Sequence, residues 1–148
     1  MPKNFKTKVF YRILDANINR AKEGLRVCEE FARFILNDYR LTANLKNIRH
    51  RLKETLNRLP IEKFRLIEER DSRRDVGKGI QGKELQRKGY LDILMANLGR
   101  TKESIRVMEE FAKLLSQREA LNLKKIRYAV YEIEKKIIKK IKALRNLK

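Results

Sequence analysis

Apolar residues recur every three or four positions through Leu14, Ile18, Ala21, Leu25, Cys28, Ala32 and Ile35, and again through Leu94, Leu98, Thr101, Ile105, Met108, Ala112 and Leu115. At about 100° per residue each set forms one stripe, the mark of an amphipathic helix with a single buried face. The pattern predicts helices near residues 9–37, 41–58, 84–116 and 119–146. Asn37 and Asp38 break the first run. Pro60 stops the second, because proline lacks the N–H a helix needs and disfavours helix in the residue before it. Strands are required nowhere, so the expected fold class is all-α.

The two stripes are copies. Shifted by 80 positions, Leu14–Ile35 lies over Leu94–Leu115 with 12 identities in 22 residues. After a slip of two, Leu45, Lys46, Ile48, Arg49 and Glu54 fall on Leu123, Lys124, Ile126, Arg127 and Glu132, so the following helix is copied too. The repeated unit is a helical hairpin, and two of them predict a pseudo-twofold four-helix bundle in a single domain over 1–148. Repeat 1 covers about 10–59, a linker loop about 60–89, and repeat 2 about 90–146.

Within the linker, Glu69–Gly89 holds four of the six glycines and no helical stripe until its end. A long loop in a small helical protein is either functional or disordered. Gly77, Gly79 and Gly82 permit the close backbone approach or positive φ that phosphate cradles use. No Gly-Lys-Ser/Thr follows a strand, so this is not a P-loop.

Charge sharpens the picture. The formal net charge is +19, divided as about +8 over 1–59, +3 over 60–89 and +8 over 90–148. So spread an excess favours polyanionic or phosphorylated partners, although heat-adapted proteins also carry solvated Lys and Glu faces. After Glu134 the chain has seven basic residues and no acid, interleaved with Ile137, Ile138, Ile141 and Leu144. That is a packed helix with a solvated Lys face, or a surface for nucleic acid or membrane. No apolar run is long enough to span a bilayer and no secretory leader is evident, so a cytoplasmic location is expected. Cys28 sits on an apolar stripe and has no partner in the chain, which reads as a small buried hydrophobe.

One row of side chains carries candidate chemistry. Asn17, Arg20, Glu23 and Arg26 step by three along the first helix, and Asn97, Arg100, Glu103 and Arg106 repeat them. Asn17 and Asn97 fall inside the apolar arc, where an unpaired amide costs about 1 to 3 kcal/mol. Two such amides near a pseudo-twofold axis therefore bond each other's surroundings or face one polar cleft that the Asn and Arg of both rows share. Arg20–Glu23 and Arg100–Glu103 read either as surface ion pairs or as guanidinium forks that Glu orients toward phosphate. In the loop, Asp71 and Asp75 could share a magnesium ion with nucleotide phosphates while Arg70, Arg73 and Arg74 neutralise them. His50 is the only histidine, an exposed or capping residue or else a general base.

Taken together, RILDANINRAKEGLRVCEEFARFIL (12–36), Arg49–His50, RDSRRDVG (70–77) and ANLGRTKESIRVMEEFAK (96–113) resemble the small helical hydroxymethylpyrimidine phosphate kinase domain, found alone or fused ahead of thiamine phosphate synthase. The resemblance implies transfer of the ATP γ-phosphoryl group to 4-amino-5-hydroxymethyl-2-methylpyrimidine phosphate, with ATP and Mg²⁺ as cofactors. It places motif positions at Asn17, Arg20, Glu23, Arg26, Glu30, Arg49, His50, Arg70, Asp71, Asp75, Gly77, Asn97, Arg100 and Glu103. Our assignment of roles makes Arg20, Arg26, Arg49, Arg70 and Arg100 phosphate ligands, and Asn17 and Asn97 pyrimidine partners. Glu23 and Glu103 orient, Asp71 and Asp75 hold metal, and His50 joins the two aspartates as a catalytic group. The rival expectations are a basic helical nucleic-acid-binding module and a non-catalytic helical assembly module; homo-oligomerisation is left open.

Overall fold

The computed structural model describes residues 3–80 and 82–146, and among them there are helices and turns but no strands. Helices α1 (Lys3–Glu30), α2 (Tyr39–Arg58), α4 (Tyr90–Ala112) and α5 (Gln117–Asn146) are long, and α3 (Lys63–Glu68) is short. Helix α1 begins upstream of the expected start. Helix α4 begins later than expected, because Gly89 stands directly before it and only a 3₁₀ turn, Lys83–Leu85, forms upstream. Helix α3 lies inside the stretch read as loop, so the linker is partly helical.

The hairpin turns follow from local chemistry. Past α1 a π-helical turn runs over Phe31–Ile35, with the Leu36 N–H donating to the Phe31 carbonyl at 3.0 Å. Asn37 then takes φ 49°, a left-handed conformation asparagine tolerates, and the chain reverses. Asp38 caps α2, its carboxylate accepting from the Leu41 N–H at 2.9 Å. At the head of α5, Ser116 Oγ accepts from the Glu119 N–H at 3.2 Å, half of an S-x-x-E capping box that starts the helix two residues earlier than periodicity alone placed it.

Both apolar stripes are buried in one core except at their ends, where Ile35 is 46% exposed and Leu115 half-buried, and they are joined by Leu45, Ile48 and Leu52 of α2 and Leu123, Ile126, Val130 and Ile137 of α5. Helices α1 and α4 make the most extensive contact, with α2 and α5 also packed together. Buried Glu29 of α1 receives both Nε (2.6 Å) and Nη2 (3.3 Å) of Arg49 on α2. Buried Glu109 of α4 receives Nε (2.7 Å) and Nη2 (3.1 Å) of Arg127 on α5. Each hairpin is thus fastened by the same two-bonded ion pair at the same repeat positions.

The first part of the linker is fastened along α1. Tyr11 Oη accepts from the Glu62 N–H at 3.0 Å, and the Arg65 guanidinium lies 4.9 Å from the Tyr11 ring centroid. Lys8 and Glu69 are 3.7 Å apart. This strapping delivers the segment that follows α3 to one flank of α1. Among the described residues, no helix is long and apolar enough to cross a membrane.

Candidate functional site

That flank of α1 and the strapped loop enclose a cleft of about 630 Å³. Arg12, Asp15, Asn17, Asn19 and Arg20 line it from the helix, with Val9, Ile13 and Ala16 between them. Arg70, Asp71, Ser72, Asp75 and Lys78 close it from the loop.

The cleft is organised around Asp15. This carboxylate is only 7% exposed and takes two bonds from Arg70, Nε at 2.7 Å and Nη2 at 2.8 Å. Hydrogen bonding to Asp15, with its negative charge, holds the Arg70 guanidinium more firmly protonated than usual. Asn19 Nδ2 donates to the same carboxylate at 3.2 Å. Asn17 is buried, and its Nδ2 donates to the Ile13 carbonyl one turn back at 2.9 Å, so the amide is satisfied while still lining the cleft.

The loop is shaped by its own aspartates. Asp71 Oδ1 accepts from the Arg74 N–H at 3.2 Å, and Asp75 Oδ1 accepts from the Gly77 N–H at 2.9 Å. Gly77 therefore serves the turn, and none of the described glycines lies in the left-handed region, while a Cβ at Gly79 or Gly82 would meet nothing within 4 Å. No group of three or more Asp, Glu, His or Cys side chains that could enclose a metal ion occurs among the described residues. Asp71 and Asp75 both line the cleft, and Asp71 Oδ2 also lies 3.4 Å from Arg74 Nε.

The structure thus gathers Asn17, Arg20, Arg70, Asp71 and Asp75 of the expected residues. It does not bring the second row to them. Asn97 repeats the internal bond of Asn17, donating to the Ile93 carbonyl at 2.8 Å, yet neither it nor Arg100 lines this cleft. The single hollow expected for both rows is therefore corrected to a cleft on α1 alone. Arg49 is bound to Glu29 inside the hairpin rather than offered to phosphate, and Arg26 lies 3.6 Å from the same Glu29. His50 is exposed on α2 and is not part of the cleft. Glu23 is exposed and makes no ion pair with Arg20, and Glu103 makes none with Arg100, among the described residues. Glu103 lines a separate cleft on α4. Of the repeated Glu-Glu doublet, it is Glu29 and Glu109 that turn inward, while Glu30 is half-buried.

Sequence reasoning passed over Asp15, Asn19, Arg12 and Lys78. A signal for the first two existed in the repeat itself. Asp15 faces Met95 and Asn19 faces Gly99 in the 80-residue alignment, so these polar residues belong to one copy only.

The class defined by this fold and site is an all-helical protein with a cation-lined cleft between one helix and one loop. Residues 12–136 match the ThiD2 family, and the chain belongs to that family. It is 43% identical over 129 residues to a thiamine-phosphate synthase of Rhodopirellula baltica, a match covering 86% of this chain and 34% of that protein. It is 38% identical over 132 residues to a thiamine-phosphate synthase of Nostoc punctiforme, covering 88% and 36%. A thiamine-phosphate synthase of a Synechocystis strain is 40% identical over 124 residues, covering 83% and 34%. The chain therefore spans about one third of the length of these relatives. No solved structure matches it.

Proposed function

We propose that this chain is a thiamine-biosynthetic kinase that transfers phosphate from ATP to hydroxymethylpyrimidine phosphate, giving the diphosphate. The observation that carries the reading is the cleft on α1, where Arg12, Arg20, Arg70 and Lys78 converge with two loop aspartates and a buried asparagine amide. Family membership and the named relatives support the pathway.

The reaction forms a bond from a substrate phosphate oxygen to the γ-phosphorus and breaks the bond to the β,γ-bridging oxygen, with ADP leaving. The attacking oxygen belongs to a phosphate whose second pKa is near 6, so it is already anionic at neutral pH. No proton has to be removed, and the reaction does not ask for a histidine in the cleft. What remains is positioning and charge neutralisation. Arg20 and Arg12 would hold phosphate oxygens, Lys78 would meet the nucleotide tail, and Asn17 would contact the pyrimidine edge. Arg70 would act chiefly by holding the loop against Asp15. Asp71 and Asp75 would hold magnesium, whose chemistry when bound is to neutralise phosphate charge.

The matching Glu–Arg pairs and matching Asn bonds of the two hairpins support a pseudo-twofold axis between them. The first hairpin leaves helix at Arg58, whereas α5 runs on as helix past the equivalent Lys136 to Asn146, so the proposed site is built on one half only.

One observation favours a second reading. Helix α5 exposes Lys135, Lys136, Lys139, Lys142 and Arg145, a basic face suited to nucleic acid. A coupled assay for ADP formation separates the two. The kinase reading expects saturable, magnesium-dependent turnover only with the pyrimidine phosphate present. No turnover, together with nucleic-acid affinity falling steeply between 50 and 200 mM salt, roughly a thousandfold or more, would favour the basic module.

A further inference from the structure

The chain reverses between α1 and α2, and ion pairs elsewhere fix what stands beside that turn. Arg58–Glu119 at 3.1 Å and Asp38–Lys140 at 3.3 Å make α2 and α5 antiparallel, so the last residues of α5 reach the turn. Glu109–Arg127 and Lys102–Glu134, both at 2.7 Å, set the register of α4 against α5. The same register carries Tyr90, the first residue of α4, to the level of Arg145. A turn, a helix start and a helix end therefore form one blunt end of the bundle.

That end is apolar. The stripe of α1 joins the core as far as Ala32, and the π-helical turn then leaves Phe34 and Ile35 outside it. Phe34 is 66% exposed, Tyr39 86% and Tyr90 68%, and Leu144 is exposed as well. Leu144 stands one helical turn beyond Lys140 on the same face of α5, which brings it to the turn.

The rim of this end is cationic. Arg33, Arg40, Lys88, Lys139, Lys142 and Arg145 have no ion-pair partner among the described residues. The acids beside them are occupied: Asp38 binds Lys140 and the Leu41 N–H, and Asp92 accepts from the Lys88 N–H at 3.1 Å. The Arg33 guanidinium lies 4.8 Å from the Phe34 ring centroid, so a cation and an aromatic ring are presented together.

Exposed apolar groups rimmed by charge mark an interaction surface, and here the charge selects the occupant. A second copy would bring like charges together. A nucleic-acid strand would engage the cations and the rings but leave Ile35 and Leu144 against phosphate and water. A bilayer with anionic headgroups meets both demands. Its phosphates take the cations, its acyl boundary takes Phe34, Ile35 and Leu144, and tyrosine, with an apolar ring and a polar hydroxyl, suits the interface between them.

We propose that this end of the bundle docks the chain on the surface of an anionic phospholipid bilayer, without spanning it. The cleft on α1 is lined from Val9 to Arg20, far along the helix from Phe34, so docking leaves it open. The proposal is independent of the kinase reading, because binding is read without turnover.

The test uses the full chain with phosphatidylcholine vesicles, with and without about one third phosphatidylglycerol. Co-sedimentation is expected with the anionic vesicles alone, and affinity should fall at least about tenfold between about 0.1 and 0.5 M salt. The double variant Phe34→Ser, Tyr39→Ser should weaken binding at least about tenfold. Its Tm should stay near wild type, since both side chains are exposed. Leu114 occupies the repeat position of Phe34 and is exposed at the far end of the bundle, where Phe10 meets Phe111, so Leu114→Ser should bind as wild type does. The chain has no tryptophan, so Tyr39→Trp supplies a single reporter. Its emission should shift to the blue with anionic vesicles and be quenched by lipids brominated on their acyl chains. Vesicle binding with an unshifted indole, or equal losses in Leu114→Ser and the double variant, would reduce the effect to diffuse charge and overturn the proposal. It is overturned equally by no vesicle binding at all, by a single-stranded oligonucleotide that displaces the vesicles and quenches the indole, or by self-association that buries the indole without lipid.

Discussion

Gly24 lies on α1 against Asn97 and Thr101 of α4, and no side chain fits there. A Cβ would stand 2.3 Å from Thr101 Oγ1 and 3.0 Å from the Asn97 carbonyl oxygen. Thr101 has little freedom to yield, because it is β-branched, buried, and donates its hydroxyl to that same carbonyl at 2.8 Å. Gly24→Ala should destabilise the chain by about 1 to 3 kcal/mol despite the better helix propensity of alanine, a loss that a urea titration would read. Thr101→Ala in the same chain should recover only part of it, since the backbone oxygen stays. Cys28 makes a complementary case on the same helix. It is fully buried, and burial, aided by the nearby negative charge of Glu134, pushes its thiol up to about 12. The thiolate is the reactive form, so a disulfide reagent at pH 8 should leave the native chain unlabelled and label one thiol in denaturant. Rapid native labelling would mean that this face of α1 opens. The sequence alone made Cys28 legible as core, because its place on the stripe is set by period. The special place of Gly24 was not legible, since its reason is a neighbour 77 positions away.

At the scale of elements, local signals and long-range ones divided the work. The stripes placed four long helices, and Asn37, Asp38 and Pro60 placed two of the breaks, because the cause of each lies within a few residues. Helix α3 escaped the stripe reading because it is short and none of its residues is fully buried; Tyr11 and Asp15 on α1 hold the segment around it. The cap of α2 permits a direct test. Asp38 accepts from the Leu41 N–H and lies 3.3 Å from Lys140 of α5, and the Leu41 bond, followed by Lys140, holds its carboxyl below the usual 3.8. A carboxylate whose pKa is lower in the folded state stabilises above its unfolded pKa, and that contribution is lost as pH falls through the folded value. Asp38→Ala should therefore cost about 1 kcal/mol at neutral pH. The gap to wild type should narrow as pH drops below 3.8, measured as urea midpoints across a pH series. A gap independent of pH would mean that the cap acts without its charge.

The whole molecule places a loop between two copies of one scaffold, and that asymmetry decides where the cleft on α1 lies. Fastening the hairpins is done twice, by Glu29–Arg49 and Glu109–Arg127, so the motif residues closest to symmetry are structural. The cleft on α1 depends on where the copies differ: Asp15 against Met95, Asn19 against Gly99, and a loop that starts after Arg58 where α5 runs on as helix past Lys136. The sequence made the repeated rows conspicuous and so drew attention to Arg20 and Arg100 equally, whereas the folded chain places only Arg20 at the cleft. Under the proposed kinase activity the two arginines must then behave differently. Arg20→Ala removes a cation from the cleft that the proposal gives to phosphate, and kcat/KM should fall at least about a hundredfold. Arg100→Ala changes an exposed residue outside the cleft and should stay within about threefold, the scale of a surface substitution. Both chains should melt near wild type, since neither arginine is buried or ion-paired among the described residues. Equal losses in the two variants would instead require Arg100 to reach the substrate. The site would then have to draw on both hairpins, with α4 moving toward the loop when the cleft is filled.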